Sequence, residues 1–140
     1  MWVVDVGVKF TNNSIKVKTA LKEAGVAWLH EACGEIEAQT KRNSKVLTGK
    51  TKGSYQYRVD EDSLEGVVGS DSQNAIWEEF GTGEYAINGD GRKGGWFYKD
   101  ERGNGHFTHG KKAKRPMFRA YTALKAQLQK MAQEKFGGLS

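Results

Sequence analysis

Hydrophobic and polar residues along the chain change their spacing several times, and each change marks an element. Residues 1–11 alternate, with Val4, Val6, Val8 and Phe10 on one face and Asp5, Gly7 and Lys9 on the other. That period of two predicts a strand or an extended arm. Asn12, Asn13 or Ser14 can then cap a helix. From residue 15 to about 42 the period lengthens: Val17, Leu21, Ala24, Trp28, Ala32 and Ile36 recur at steps of three or four. Gly25 and Gly34 interrupt this long helix, each weakening it by up to ~1 kcal/mol, so a kink is allowed there. Residues 43–53 read as a polar loop.

Two β-like runs follow, at residues 54–59 (Tyr55, Tyr57, Val59) and 64–69 (Leu64, Val67, Val68). The acidic turn Asp60-Glu61-Asp62-Ser63 joins them as an antiparallel hairpin. Residues 73–80 predict a short helix burying Ala75, Ile76, Trp77 and Phe80 and closing at Gly81-Thr82-Gly83. Seven glycines then fall within residues 89–110, where Trp96-Phe97-Tyr98 and His106-Phe107-Thr108 flank a turn. This second hairpin reads as a glycine-rich flap that orders on assembly. Pro116 stands where a last helix begins, with Met117, Tyr121, Leu124, Leu128 and Met131 as its apolar stripe and Phe118 just off it. Gly137-Gly138 ends it. The expected fold is α+β: long N- and C-terminal helices packed on a small antiparallel sheet, with a protruding glycine-rich hairpin, as one domain over residues 1–140.

Composition narrows the class. The chain has 140 residues, 37% hydrophobic, 28% charged and 11% aromatic, including four tryptophans. That is too aromatic for a disordered chain. No apolar run approaches the ~20 residues of a membrane span, and the N-terminus lacks a signal peptide's order, so a soluble protein without a membrane partner is expected. The one cysteine, Cys33, excludes an intrachain disulfide and suits a reducing compartment. The net charge of +5 conceals a division: residues 1–91 carry 10 basic against 14 acidic residues, net −4, and residues 92–140 carry 12 against three, net +9. A basic half can meet phosphate. Equally, the basic part of one subunit can meet the acidic part of another.

Candidate chemistry is sparse. Thr48-Gly49-Lys50-Thr51 imitates the end of a phosphate-binding loop, but Ser44 stands where the first glycine is needed, and the segment follows a helix and precedes a strand. Residues 89–95 are glycine-rich without opening a helix after a buried strand. His30, His106 and His109 with Cys33 do not supply the convergent set a metal needs. Cys33 and His30 share a helical face as a conceivable nucleophile pair, the basis of a Cys-dependent hydrolase reading, yet Cys33 reads better as a small buried residue. Adjacent Glu78 and Glu79 diverge on a helix and make no catalytic pair. The expectation is a non-enzyme without metal or cofactor. Lys111, Lys112, Lys114, Arg115 and Arg119 lie close in sequence to Trp96, Phe97, Tyr98 and Phe107, which supports a competing reading as a small basic DNA-binding protein.

Several segments, in order, resemble the HK97 gp10-like family of tailed-phage head–tail joining and tail completion proteins. These are Leu47-Thr48-Gly49-Lys50-Thr51 after a long helix, Val67-Val68-Gly69-Ser70 at a strand end, and the block Asn74-Ala75-Ile76-Trp77-Glu78-Glu79-Phe80-Gly81-Thr82. Trp96-Phe97-Tyr98, Thr108-His109-Gly110 and Arg115-Pro116-Met117-Phe118-Arg119-Ala120 complete the series. Asn74 stands where the family commonly has tyrosine. The resemblance spans about residues 12–136 and is specific in order and spacing.

The resemblance implies a structural protein of a phage or prophage virion, assembled in the host cytoplasm. It would form an oligomeric ring, often sixfold, between head connector and tail. Its partners would be copies of itself and other neck and tail proteins, and non-specific contact with passing DNA is compatible with that place. Thr48, Gly49, Glu79, Phe80, Gly81, Thr82, Arg115, Pro116 and Phe118 would be structural, with Phe80 buried and Gly81 reversing the chain. The charge division then suggests an interface: Asp60, Glu61, Asp62 and Glu65 of one subunit against Lys111, Lys112, Lys114, Arg115 and Arg119 of a neighbour or stacked ring.

Overall fold

A computed structural model describes residues 2–7, 15–44 and 50–137. In chain order it contains β1 (Trp2–Gly7), α1 (Ile15–Asn43), a single helical turn α2 (Lys50–Gly53), β2 (Gln56–Asp60), β3 (Glu65–Ser70) and α3 (Gln73–Phe80). A 3-10 turn (Gly83–Tyr85), β4 (Trp96–Lys99), β5 (Gly105–Thr108) and α4 (Pro116–Gly137) follow. The fold is α+β as expected, with both long helices and two antiparallel sheets. The candidate caps Asn12, Asn13 and Ser14, and the motif residues Thr48 and Gly49, lie outside the described residues. Where the polar spacing of residues 43–53 predicts only loop, α1 reaches Asn43 and α2 adds one turn. No helix among the described residues is long and apolar enough to cross a membrane.

The larger sheet has the order β1-β3-β2, with every pair antiparallel. Its central strand is β3, where Val68 pairs with Val4 on one side and Tyr57 on the other. The acidic turn closes with Leu64 in the left-handed region at φ 54°. A one-residue register slip would turn fully buried Val68 outward, so burial fixes the pairing.

Helix α1 runs unbroken through Gly25 and Gly34 for 29 residues, about 43 Å at ~1.5 Å per residue. It buries more than the single predicted stripe. Trp28, Ala32, Ile36 and Thr40 form one buried row, and Leu29 and Cys33 form a second. Two rows are needed because α1 has two neighbours: α4 along one side and strands β2 and β3 along the other. Tyr55, Val68, Ala75, Met117 and Leu128 complete the core.

Three polar side chains at this core, those of Trp28, Thr40 and Asn43, have partners. Trp28 Nε1 donates to the Leu128 carbonyl at 2.8 Å, tying α1 to α4 with a bond buried on both sides. Thr40 Oγ1 donates to the Ile36 carbonyl one turn back at 2.7 Å, so its hydroxyl needs no tertiary partner. Asn43 Nδ2 donates to the Pro116 carbonyl at 3.0 Å, holding the end of α1 against the start of α4.

Gly66 of β3 lies tightly against α1. A Cβ there would collide with Cys33 Sγ and lie 3.3 Å from Leu29 Cδ2. Gly66→Ala should therefore destabilise the fold by about 1–3 kcal/mol through overpacking. In a Cys33→Ala background the same change should cost less than half as much, because the colliding sulfur is gone. Urea unfolding of the two single variants and the double variant measures this coupling, and additive effects would contradict the contact.

Candidate functional site

Helix α3 departs from its predicted face. Its spacing predicts that Trp77 and Phe80 are buried; instead Trp77 is 44% exposed, whereas Glu78 and Glu79 are 6% and 3% exposed. Ile76 and Phe80 are half-buried, which corrects the expectation of a buried Phe80. The reason lies in what α3 touches. Its C-terminal turn abuts the start of α4, where backbone N–H groups need acceptors, so the face with carboxylates turns inward.

Pro116 opens α4 as predicted and is buried. Having no N–H, it leaves the next amides as the first donors to satisfy. Arg115, in the capping position before it, carries no acceptor on its side chain. Glu79 supplies the cap from 38 positions away: Oε2 accepts from the Met117 amide at 3.0 Å, and Oε1 accepts from the Phe118 amide at 2.9 Å. Burial pushes the Glu79 carboxyl above its ordinary pKa; the amides of Phe118 and Met117 and the Arg115 and Arg119 charges pull the other way. Arg115 itself takes φ 52°, a strained conformation for a side chain of its size, and is one of two such non-glycine residues described. Its guanidinium lies 4.0 Å from the Phe118 ring centre, while Phe118 is exposed on its outer side.

Glu78 closes a second joint. Its backbone carbonyl, left open at the end of α3, accepts from the amides of Lys114 and Arg115 at 2.8 and 3.1 Å. Its carboxylate pairs with the Lys111 ammonium. Lys111 also donates to Asn74 Oδ1 at 3.3 Å, and Asn74 Nδ2 donates to Thr51 Oγ1 at 2.8 Å. The threonine of the apparent phosphate-binding motif thus serves a structural link.

Past α3 the chain turns at Gly81 (φ 74°), as the motif implied, and runs beside residues 109–111. Thr82 donates its amide to the Lys111 carbonyl at 2.9 Å, and its hydroxyl accepts from the Lys111 amide at 2.8 Å. Glu84 N–H reaches the His109 carbonyl at 2.9 Å. A Cβ on Gly83 would strike the His109 carbonyl, and one on Gly110 would strike that of Thr82. Composition alone reads Gly110 as flap mobility and Gly83 as the close of a helix; in the structure both allow two backbones to touch at the hairpin's base.

From that base project β4 and β5, paired Trp96 with Thr108, Phe97 with Phe107, and Tyr98 with His106. Asp100 organises the turn. Its Oδ1 accepts from the Arg102 and Asn104 amides at 2.9 and 2.8 Å, and Oδ2 lies 2.9 Å from His106 Nε2. The His106 and Asn104 contacts hold its carboxyl down, at about 2. His109 and Glu84 approach to 3.4 Å at the base. Between these ties the ribbon is unshielded despite its aromatic content: Phe97 is 78% and Phe107 51% exposed, with ring centres 4.9 Å apart. On its other face, Trp96 and Tyr98 join Trp77, Asn74 and Lys111 around a groove of about 630 Å³.

The candidate interface residues divide. Asp60, Glu61, Asp62 and Glu65 are all exposed on the β2–β3 turn. Asp60 Oδ1 accepts from the Asp62 and Ser63 amides at 3.0 and 3.1 Å, shaping the turn. Lys22 approaches Asp62 at 3.6 Å on open surface, a pair of little energetic value. Among the basic residues, Lys112 and Arg119 are exposed, whereas Lys111, Lys114 and Arg115 are half-buried in the joint. Arg119 Nε donates to the Lys114 carbonyl at 2.8 Å. Cys33 and His30 do not meet as a reactive pair: His30 Nδ1 is 3.2 Å from the Tyr57 hydroxyl. Burial, with the Glu37 charge adding to it, raises the Cys33 thiol to about 11. The motif reading held Glu79 to be structural without its role, took Asn74 only as a departure from the family pattern and expected Trp77 to be buried. One signal for the cap was available: a helix opening at Arg-Pro without Ser, Thr, Asp or Asn must take its acceptor from elsewhere.

Glu79→Ala should lower stability by about 2–4 kcal/mol, since it strands two amides at a helix start. Glu79→Gln should cost less, as it keeps one acceptor oxygen and sheds the desolvated charge. Urea midpoints at constant slope test this; an alanine variant within about 0.5 kcal/mol of the parent would contradict the cap. Asp100 has a depressed pKa, so its stabilising contribution is present above the ordinary value of about 4 and is lost as pH falls through about 2. The Asn104 amide resonance should titrate with that low midpoint, and a midpoint of about 4 would refute the turn geometry.

The chain matches no family model, no curated protein and no solved structure.

Proposed function

We propose that this chain is a structural protein of a tailed-phage or prophage virion, acting in head–tail joining or tail completion as an oligomeric ring. The observation that carries the reading is a firmly mounted hairpin with its aromatic side chains left in solvent. Phe97, Tyr98 and Phe107 are exposed on a two-stranded ribbon, an element that is marginal by itself in water. A folded domain gains nothing for its own stability from holding such a ribbon outward; an assembly gains a contact.

Two further features agree with this reading. The sequence blocks that carry the resemblance, around Glu79–Thr82 and Arg115–Phe118, are remote in sequence but form the joint that mounts the hairpin and starts α4. A structural role for these blocks supports the reading. The charge division also persists at the surface: the acidic turn at residues 60–65 is exposed, and Lys112 and Arg119 remain exposed beside the joint. Heterologous contacts of acidic on basic surface close into rings when the rotation between copies permits.

DNA binding competes for the same basic segment. Lys111 is paired with Glu78 within the chain, which reduces the charge available to phosphate. Light scattering after size exclusion should show a concentration-dependent oligomer at low salt that shrinks toward monomer at about 1 M salt, where the Debye length is ~3 Å. A chain that stays monomeric at every concentration and salt would overturn the ring. A size unchanged by salt would remove the electrostatic contact. Duplex binding with a steep salt slope, without self-association, would favour the DNA reading.

A further inference from the structure

We propose that the Phe97–Phe107 pair of one copy seats in the groove between Trp77, Trp96 and Tyr98 of a second copy, making a head-to-tail contact. This rests on the self-association proposed above and names the surfaces that carry it.

The register of the ribbon separates the two halves of the contact. Phe97 and Phe107 are directly paired, so both rings project from one face. Trp96 pairs with Thr108, and these residues with Tyr98 occupy the opposite face, where they wall the groove. Side chains on opposite faces of one ribbon cannot meet, so the aromatic knob cannot enter the groove of its own chain. Among the described residues, both halves are therefore left open in a single copy.

The chemistry of the groove favours an aromatic occupant, which suits indole and phenol walls and a neighbouring ammonium alike. Lys99 brings one exposed ammonium to its lining, and the polar groups of Asn74, Thr108 and Lys111 are bonded within the chain. Lys111 is neutralised by Glu78 and donates to Asn74. Asn74 donates in turn to Thr51. The Thr108 hydroxyl donates to the Gly110 carbonyl at 3.2 Å and accepts from the Gly110 amide at 3.0 Å. What the groove presents outward is mainly indole and phenol surface, with Trp77 44% and Tyr98 47% exposed. Aromatic rings meeting such walls edge-on gain packing and quadrupole attraction together.

Size and symmetry follow. Two phenylalanines bring about 300–500 Å² into a contact. Counting both partners, that falls below the ~1,200–2,000 Å² of a stable isolated interface. One such contact is weak alone and becomes durable when a closed ring or the charged surfaces reinforce it. Because knob and groove differ, each copy offers one of each, and the contact propagates rather than stopping at a two-fold dimer.

The test uses Phe97→Ser to remove the knob and Trp77→Glu to charge the groove; both positions are solvent-exposed, and thermal melts verify folding. Each variant alone should associate at least tenfold more weakly than the parent in sedimentation velocity. An equimolar mixture should recover one contact and no more: a heterodimer joining the intact knob of one to the intact groove of the other. In a second measurement, the chain carrying both Gly105→Cys beside the knob and Gln73→Cys beside the groove, exposed positions that leave Phe97, Phe107 and Trp77 in place, should give a ladder of cross-linked species beyond dimer on mild oxidation. Variants that assemble like the parent, a mixture without heterodimer, or cross-linking that stops at dimer would overturn this contact and leave the ring itself standing. A monomeric parent would remove both.

Discussion

A single buried carboxylate governs the second half of the molecule. Glu79 stands at the end of α3 and closes the first turn of α4 through two amides, those of Met117 and Phe118. Taking a carboxylate out of water is unfavourable, and its pKa is raised by that burial. The cost is tolerated because the alternative is worse: a helix start buried against the core with its donors unsatisfied. Pro116 sets the backbone angle of that start, and Arg115 accepts a strained φ of 52° to lead into it. Met117 can then occupy the core beside α1, where the Trp28 to Leu128 hydrogen bond fixes the rest of α4.

The same end of α3 determines where the hairpin points. Gly81 turns the chain, Thr82 pairs both ways with Lys111, and the close backbone passage at Gly83 and Gly110 allows no side chain. The hairpin is consequently held at its base by backbone contacts and at its tip by Asp100. Its position depends little on its own apolar surface, which stays available to a partner. The ribbon's alternation then assigns different chemistry to its faces, two phenylalanines on one and a walled groove on the other.

Electrostatics act at two levels. Within the joint, Lys111 and Glu78 compensate each other and belong to the fold. On the surface, the acidic β2–β3 turn and the exposed Lys112 and Arg119 retain most of their hydration, so their energetic worth depends on what approaches and on ionic strength. The net charge division of the sequence is therefore only partly an interface property. Some of it was built into the core when remote segments folded together.

What the sequence determined by itself was whatever depends on neighbouring residues. The period of Trp28, Ala32 and Ile36 defined α1; the alternation around Tyr57 and Val68 defined a hairpin; Pro116 marked the start of α4; Gly81 marked a turn. These are local consequences of side-chain spacing and backbone freedom. Tertiary structure alone decided which face of α3 is buried. Hydropathy directed Trp77 inward, but the unsatisfied amides of α4 drew Glu79 there instead. It also decided that β1 joins as a third strand beside β3, that α1 buries two rows, and that the glycines of the flap's base are packing positions. The division has one physical cause: propensity and period act over a few residues, whereas an orphaned donor or a close backbone contact is satisfied by whatever the fold brings beside it.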